Sequence, residues 1–364
     1  MADSSDSSKY VIPMVSKALD VLELFSTHRE ELTLEQIVCR TLVPHASAFR
    51  IVQTLVRRGY LTRIESDKRY RLSWNRKKLR VGYAGLSSEI PFSVAVGMSL
   101  QRAAEEAGCE LIISDNEGDP HTAIRNAREM VGNGIDFAIE FQRHEKVAPV
   151  LANIFGEARI KTIAIHIPQP GAIFFGVDNY KAGLAAGETL GRHAASYWNS
   201  QVDAVVLLDV PQGGQALHSR MLGVLHGIEQ FLGAIAPCRQ HWLDGGGRFE
   251  TSRQVMVNFL RHNPKARHVL VSAVSDHSAL GAAAALKASR IRETSAVVGH
   301  DGDPEALREI CEPNSPYLAT IEFFADRYGR ELIDLMTRIH RGESVNPAHY
   351  VNFEVIDRVK LQRR

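Results

Sequence analysis

The stretch PHASAFRIVQTLVRRGYL, residues 44–61, decides how the first part of this chain is read. Pro44 stops the segment before it and opens a helix at His45, since proline suits the first turn, where its missing N–H leaves no bond unmade. From Ala46 to Arg58, the residues Phe49, Val52, Leu55 and Val56 recur at helical spacing, with Ile51 flanking them. One apolar face on a helix predicts a core beneath it. The other side carries His45, Ala46, Ser47, Arg50 and Gln53. Gly59 ends the helix as a cap.

The pattern extends in both directions. Upstream, Val15–Phe25 places Ala18, Val21, Leu22 and Phe25 on one helical face, and Thr33 with Gln36 has the spacing of a capping box. Downstream, residues 60–64 and 69–72 alternate like two strands joined by a turn at 65–68. Three helices followed by a basic hairpin predict a winged helix-turn-helix over residues 15–72. Its third helix enters the major groove of double-stranded DNA through His45, Ala46, Ser47, Arg50 and Gln53. Its wing lays Lys68, Arg69 and Arg71 against phosphates. A winged helix used only for protein contacts is the alternative.

Charge agrees with the division. Residues 1–80 hold 15 Lys/Arg and 9 Asp/Glu, a net +6, while the whole chain is +1, so the remainder carries −5. A basic head on a mildly acidic body predicts that the head alone meets a polyanion. Hydrophobic content of 45% and charged content of 23% are those of ordinary globular protein. No apolar run approaches the roughly 18 residues of a membrane span, so no membrane partner is expected. MADSSDSSKYVIP lacks the basic start and apolar core of a secretory signal. Residues 1–14 are expected to be a disordered tail, and the protein cytoplasmic. Cys39, Cys109, Cys238 and Cys311 lie far apart, which argues for buried free thiols over a disulfide or zinc framework.

The segments SKALDVLELF, LTLEQI, PHASAFRIVQTLVRRGYL and KRYRL, in this order, resemble the DNA-binding domain of the IclR family of bacterial regulators from about Val15 to Leu72. The family usually places small polar and basic residues after the helix-opening proline. Here they are His45, Ala46 and Ser47, so no base preference carries over.

Residues 73–78 form a short basic linker, and from residue 79 the pattern changes. Buried strands are expected at 79–85, 109–114, 135–139, 161–165, 204–208, 268–272 and 295–299. Helices are expected between them at 93–108, 121–132 and 181–197. Such alternation predicts an α/β fold with doubly wound parallel sheets, and the length favours two lobes. Ligands of these folds sit at the carboxyl ends of strands. The residues there include Ser87, Ser88, Glu89, Asp115, Asn116, Glu140, Gln142, His166, Asp276 and Asp301, a polar set suited to a small polar ligand.

GLSSEIPFSVAVGMSLQRAAEEAG, GVDNYKAGLAAGETL, SDHSALGAAAAL, VVGHDGDPEAL and ATIEFFADRYGREL make residues 79–364 similar to the type I periplasmic-binding-protein superfamily. That superfamily includes sugar receptors and the sensor domains of LacI-type repressors. The resemblance implies one lobe over about 79–177 and 324–351, and another over about 178–323 and 352–364. It implies that Phe92 stacks on a sugar ring and that Arg220 and Asp301 hydrogen-bond ligand oxygens. Glu140 and Ser275 stand where relatives carry asparagine, Ser275 beside Asp276, and Phe323 replaces a polar residue. His166 stands where many sugar receptors have an Asp-Arg clamp. A carboxylate at 140 and an imidazole at 166 would suit an amino-containing or cationic ligand.

No nucleophile elbow, phosphate loop or H-E-x-x-H motif is present, and the 15 histidines show no i, i+4 pair. Gly245-Gly246-Gly247 reads as a surface turn. The chain is therefore expected to be no enzyme and to need no cofactor. The expected function is a ligand-responsive, dimeric transcription regulator that senses a sugar or sugar derivative. A solute receptor for a transporter, or a ligandless interaction module, are the alternatives.

Overall fold

Thr33 and Gln36 cap each other: the Thr33 N–H donates to Gln36 Oε1 at 2.9 Å, and the Gln36 N–H to Thr33 Oγ1 at 3.3 Å. This reciprocal pair starts the second of three helices in the head, as its spacing predicts. The computed structural model describes residues 11–25, 30–64, 68–72 and 78–363. It separates into two units, 1–78 and 79–364. Residues 65–67 of the expected wing turn, 73–77 of the expected linker and 1–10 of the expected tail lie outside the described residues.

The head runs α1 (Pro13–Glu23), β1 (Glu31–Thr33), α2 (Leu34–Thr41), α3 (His45–Arg57), β2 (Leu61–Ile64) and β3 (Arg69–Leu72). Its three strands form one sheet in the order β1-β3-β2. Helix α1 begins at Pro13, inside the segment expected to be tail, because proline again takes the first turn. On α3 the buried residues are Ala48, Ile51, Val52 and Leu55. Phe49, expected in the core, is 46% exposed. The apolar stripe runs i, i+3, i+4, i+7 from the small Ala48, which turns Phe49 about 100° away, one residue's rotation.

In the body, the first lobe contains β4 (Arg80–Gly85), α4 (Pro91–Glu106), β5 (Glu110–Asp115), α5 (Pro120–Gly132), β6 (Phe137–Phe141), α6 (Ala148–Glu157), β7 (Lys161–Ile165) and β8 (Ile173–Gly176). The second contains α7 (Asn179–Tyr197), β9 (Ala204–Asp209), α8 (Gly214–Leu232), β10 (Gln240–Asp244), α9 (Phe249–His262), β11 (Val269–Ala273), α10 (Asp276–Lys287), β12 (Ser295–Asp301), α11 (Pro304–Cys311) and β13 (Tyr317–Glu322). The chain then returns to the first lobe with α12 (Ala325–His340) and β14 (Ala348–Tyr350). It ends in the second with β15 (Glu354–Asp357) and α13 (Arg358–Leu361).

Each lobe is a six-stranded sheet, ordered β14-β8-β7-β6-β4-β5 and β10-β9-β11-β12-β13-β15. Every pair is parallel except β13 with β15. The chain therefore passes between lobes three times, after β8, after β13 and after β14. Helix α12 docks on α4, where the Gly329 N–H donates to Ser99 Oγ at 3.0 Å. Strands β8, β10, β13, β14 and β15 were absent from the sequence reading. Most are short or lie at sheet edges, where the apolar run that marks a buried strand is interrupted.

Helices α7 and α8 approach through glycines. A Cβ on Gly183 or Gly187 would overlap the carbonyl of Arg220 or Val224, and one on Gly223 or Gly227 that of Tyr180 or Leu184. This close packing fixes where α8 presents Arg220. The four cysteines are free but not buried: Cys39, Cys238 and Cys311 are exposed and Cys109 is half-buried. Each lies at an element end or on an outer helix face, so the expectation of buried thiols is corrected.

Candidate functional site

The two sheets of the body point their carboxyl ends at a common cleft. Leu86, Ile90, Phe92, Phe141, Gln142, Arg143, His166 and Ile167 line it from the first lobe. Val210, Leu217, Arg220, Gly247, Val274, Ser275 and Asp301 line it from the second. The lining is mostly apolar, with a few polar groups set into it, the usual build of a small-molecule site.

Arg220 is 2% exposed. Its Nε donates to Asn179 Oδ1 at 2.9 Å and its Nη1 to the Val274 carbonyl, while Nη2 has no partner. The guanidinium lies 4.9 Å above the Phe323 ring. Burial pulls its pKa down and Asp301 opposes this most. Asp301 ends β12 with φ +125°, and His166 follows β7 with φ +63°. Two non-glycine residues in this backbone region at one cleft are the kind of strain that functional sites hold, about 1–3 kcal/mol each. Burial raises the Asp301 pKa well above the usual range, with Asp303 and Asp276 adding to it and Arg220 opposing.

His166 stacks on Phe92 with ring centroids 5.5 Å apart, and its Nε2 lies 2.9 Å from the Tyr328 hydroxyl. Burial, then the Arg220 charge, lowers its pKa to about 3, so it is neutral at pH 7. Tyr328 comes from α12 and joins the site only through the second crossing between lobes. The sequence reading missed it, although it lies within ATIEFFADRYGREL.

Of the other named residues, Gln142 and Ser275 line the cleft and the rest lie outside this lining. Ser87 is buried, its N–H donating to Ser93 Oγ at 3.1 Å and its Oγ accepting from the Glu89 N–H at 3.2 Å. It shapes the start of α4. The Ser88 N–H donates to Asp115 Oδ2 at 3.0 Å. Glu89 is exposed at the mouth and pairs with Arg248. Glu140 turns to the opposite side of β6 from Phe141 and accepts from Asn116 Nδ2 at 2.8 Å. Burial pushes its pKa up to about 8. Asp276 accepts from Tyr317 at 2.6 Å, from Thr320, and from the Gly302 and Asp303 N–H groups, so it organises the loop after β12. Phe323 supports Arg220 from behind the lining. A turned-away, protonatable Glu140 and a neutral His166 remove the expectation of a cationic ligand.

Gly245-Gly246-Gly247, expected to be a surface turn, faces the cleft instead. Gly247 lines it, and the Gly246 carbonyl accepts from Arg143 Nη1 at 3.0 Å across the lobes. The Gln215 N–H similarly reaches Glu145 Oε1 at 3.3 Å. These contacts hold the lobes together. The sequence reading missed Arg143 and the apolar lining, since each is an unremarkable residue until the lobes face each other.

In the head, His45, Ala46, Arg50, Lys68, Arg69 and Arg71 are exposed, and Ser47 and Gln53 half-buried. Tyr70, 4% exposed, anchors β3 from below while Arg69 and Arg71 point away. Among the described residues, no group of three His, Cys, Asp or Glu is placed to hold a metal, and no helix is long and apolar enough to cross a membrane.

A helix-turn-helix head and a two-lobed cleft body define a chain of two binding modules. Residues 81–344 match the family described as a periplasmic binding protein domain, and residues 14–65 match the IclR helix-turn-helix domain. The chain belongs to the periplasmic-binding-protein family and carries an IclR-type head. The ribose import binding protein RbsB of Salmonella typhimurium is 22% identical over 272 residues, covering 73% of this chain and 86% of that one. RbsB of Escherichia coli strain K12 matches at the same identity and coverage. Solved structures are similar too. A galactofuranose binding protein has a TM-score of 0.69 at 17% identity, covering 78% of this chain and 96% of that one. A Bacillus halodurans transporter solute binding protein with bound myo-inositol has a TM-score of 0.67 at 20% identity, covering 79% and 98%. At these identities the likeness shows the fold.

Proposed function

We propose that this protein is a cytoplasmic, dimeric transcription regulator whose head binds a double-stranded DNA operator and whose cleft senses a sugar or sugar derivative. The observation that carries the reading is the joining of an IclR-type head to a cleft in which Arg220 and Asp301 are buried beside Phe92. Arg220 and Asp301 hydrogen-bond ligand oxygens, and Phe92 and His166 cover the ligand's apolar face. Ligand favours the closed lobes, so ligand and DNA affinities are linked reciprocally. The ligands of the relatives, ribose, galactofuranose and myo-inositol, support a polyhydroxylated effector. The chain acts without catalysis.

The test is DNA binding by fluorescence anisotropy, with and without each sugar that raises the melting temperature. In Asp301→Ala and Arg220→Ala the sugar response disappears while binding of DNA alone persists. A sugar response that survives in both folded variants sinks this site. A chain that binds DNA with no sugar response at all sinks the sensor reading.

A further inference from the structure

The cleft carries more positive than negative charge. Arg143 and Arg220 both line it, against a single acid, Asp301. Among the described residues neither arginine forms an ion pair. Asp301 and Asp209 act on Arg220, and Asp244 on Arg143, only at longer range. Arg143 spends Nη1 on the Gly246 carbonyl, a neutral acceptor. Arg220 spends Nε and Nη1 on Asn179 and the Val274 carbonyl, again neutral acceptors, and its buried Nη2 has no partner. A buried guanidinium without a counter-ion is unfavourable until an anion reaches it. At the mouth, Glu89 and Arg248 pair with each other.

From this we infer that the cleft takes an anionic hydroxylated ligand, a sugar acid whose carboxylate sits between Arg143 and Arg220, in preference to a neutral sugar. The inference rests on the sensor reading above and narrows its ligand class. Asp301 fits the same arrangement. Burial and the neighbouring Asp303 and Asp276 push its pKa up, which favours its neutral form beside an anionic ligand, while Arg220 opposes this. Phe92 and His166 cover the carbon skeleton, and His166, being neutral, contributes no charge of its own. Guanidinium groups match carboxylates in geometry as well as sign.

The experiment is calorimetric titration of the full chain with matched pairs: D-galactose and D-galacturonate, D-glucose and D-gluconate, D-ribose and D-ribonate, with ribose 5-phosphate beside them. At least one acid binds tenfold or more tightly than its neutral parent and more tightly than the phosphate ester. Arg143→Gln removes that preference and Arg143→Lys retains part of it, with melting curves showing that both variants fold. Neutral sugars that bind as tightly as their acids in every pair overturn the inference and leave the sensor reading standing. So does an acid preference that survives in Arg143→Gln. A phosphate ester that binds best overturns the carboxylate assignment. Absence of binding by every member of the panel overturns the inference and the sugar-sensor reading together.

Discussion

Arg248 of the second lobe reaches Glu89 of the first, Nη1 to Oε2 at 3.1 Å, and so bridges the mouth of the cleft. The two side chains are 46% and 72% exposed, and an exposed pair of this kind is worth about 0.2–1 kcal/mol. Arg248→Ala should therefore weaken ligand binding by no more than about fivefold, mostly through faster release, and 0.5 M salt should shrink the difference. A double-mutant cycle with Glu89→Ala, measured by titration at two salt concentrations, checks this. Zero coupling at low salt would show that the pair does not hold the mouth.

The glycine contact between α7 and α8 makes a stronger demand. A methyl group on Gly183 meets the Arg220 carbonyl, so the helices must separate and carry Arg220 with them. Gly183→Ala should cost about 1–3 kcal/mol or more of stability and reduce ligand affinity in the folded fraction. Gly132→Ala, at a helical glycine where an added Cβ meets nothing, is the control and should do neither. Equal behaviour of the two variants in melting and titration would refute the role given to the packing.

Glu140 should make the body less stable as pH rises. Its folded pKa of about 8 lies above its ordinary value of 4.5. Its contribution is full below 4.5 and is lost as pH climbs through about 8. His166 and His300, both lowered to about 3, and Asp276 and Asp303, raised to about 7 and about 8, titrate in parent and variant alike, so the difference between the two isolates Glu140. Glu140→Gln keeps the neutral form at every pH. Between pH 6.5 and 8 its stability should fall less steeply than the parent's, by up to about 1.4 kcal/mol per pH unit. Denaturant titrations at four pH values provide the check, and parallel slopes would contradict the assignment.

On the head, exposure separates residues that the sequence grouped together. Ile51→Ala should cost about 2–5 kcal/mol, whereas Phe49→Ala, at a half-exposed position, should cost far less. Arg50→Ala should lower specific DNA affinity by about 1–3 kcal/mol without unfolding the head. Replacing Lys68, Arg69 and Arg71 together should weaken binding to every sequence and flatten the salt dependence by up to about three counterions. An unchanged salt slope would remove the wing from the interface.

Strand β1 of the head escaped the sequence, and Arg220 was named only through the family resemblance. The sequence alone determined the head's three helices and hairpin, the capping box at Thr33 and Gln36, and the α/β class of the body. These are local facts: a cap depends on residues three apart, and a periodic apolar run depends on its own spacing. Tertiary structure decided the rest. Phe49 against Ala48 turns on which small residue the neighbouring helices admit. Glu140 against Phe141 turns on which face of β6 meets the cleft, and adjacent strand residues face opposite ways. Arg143, Gly247 and Tyr328 come to the cleft region only because the chain passes between the lobes three times. A crossing of that kind leaves no periodic trace in the residues it brings together.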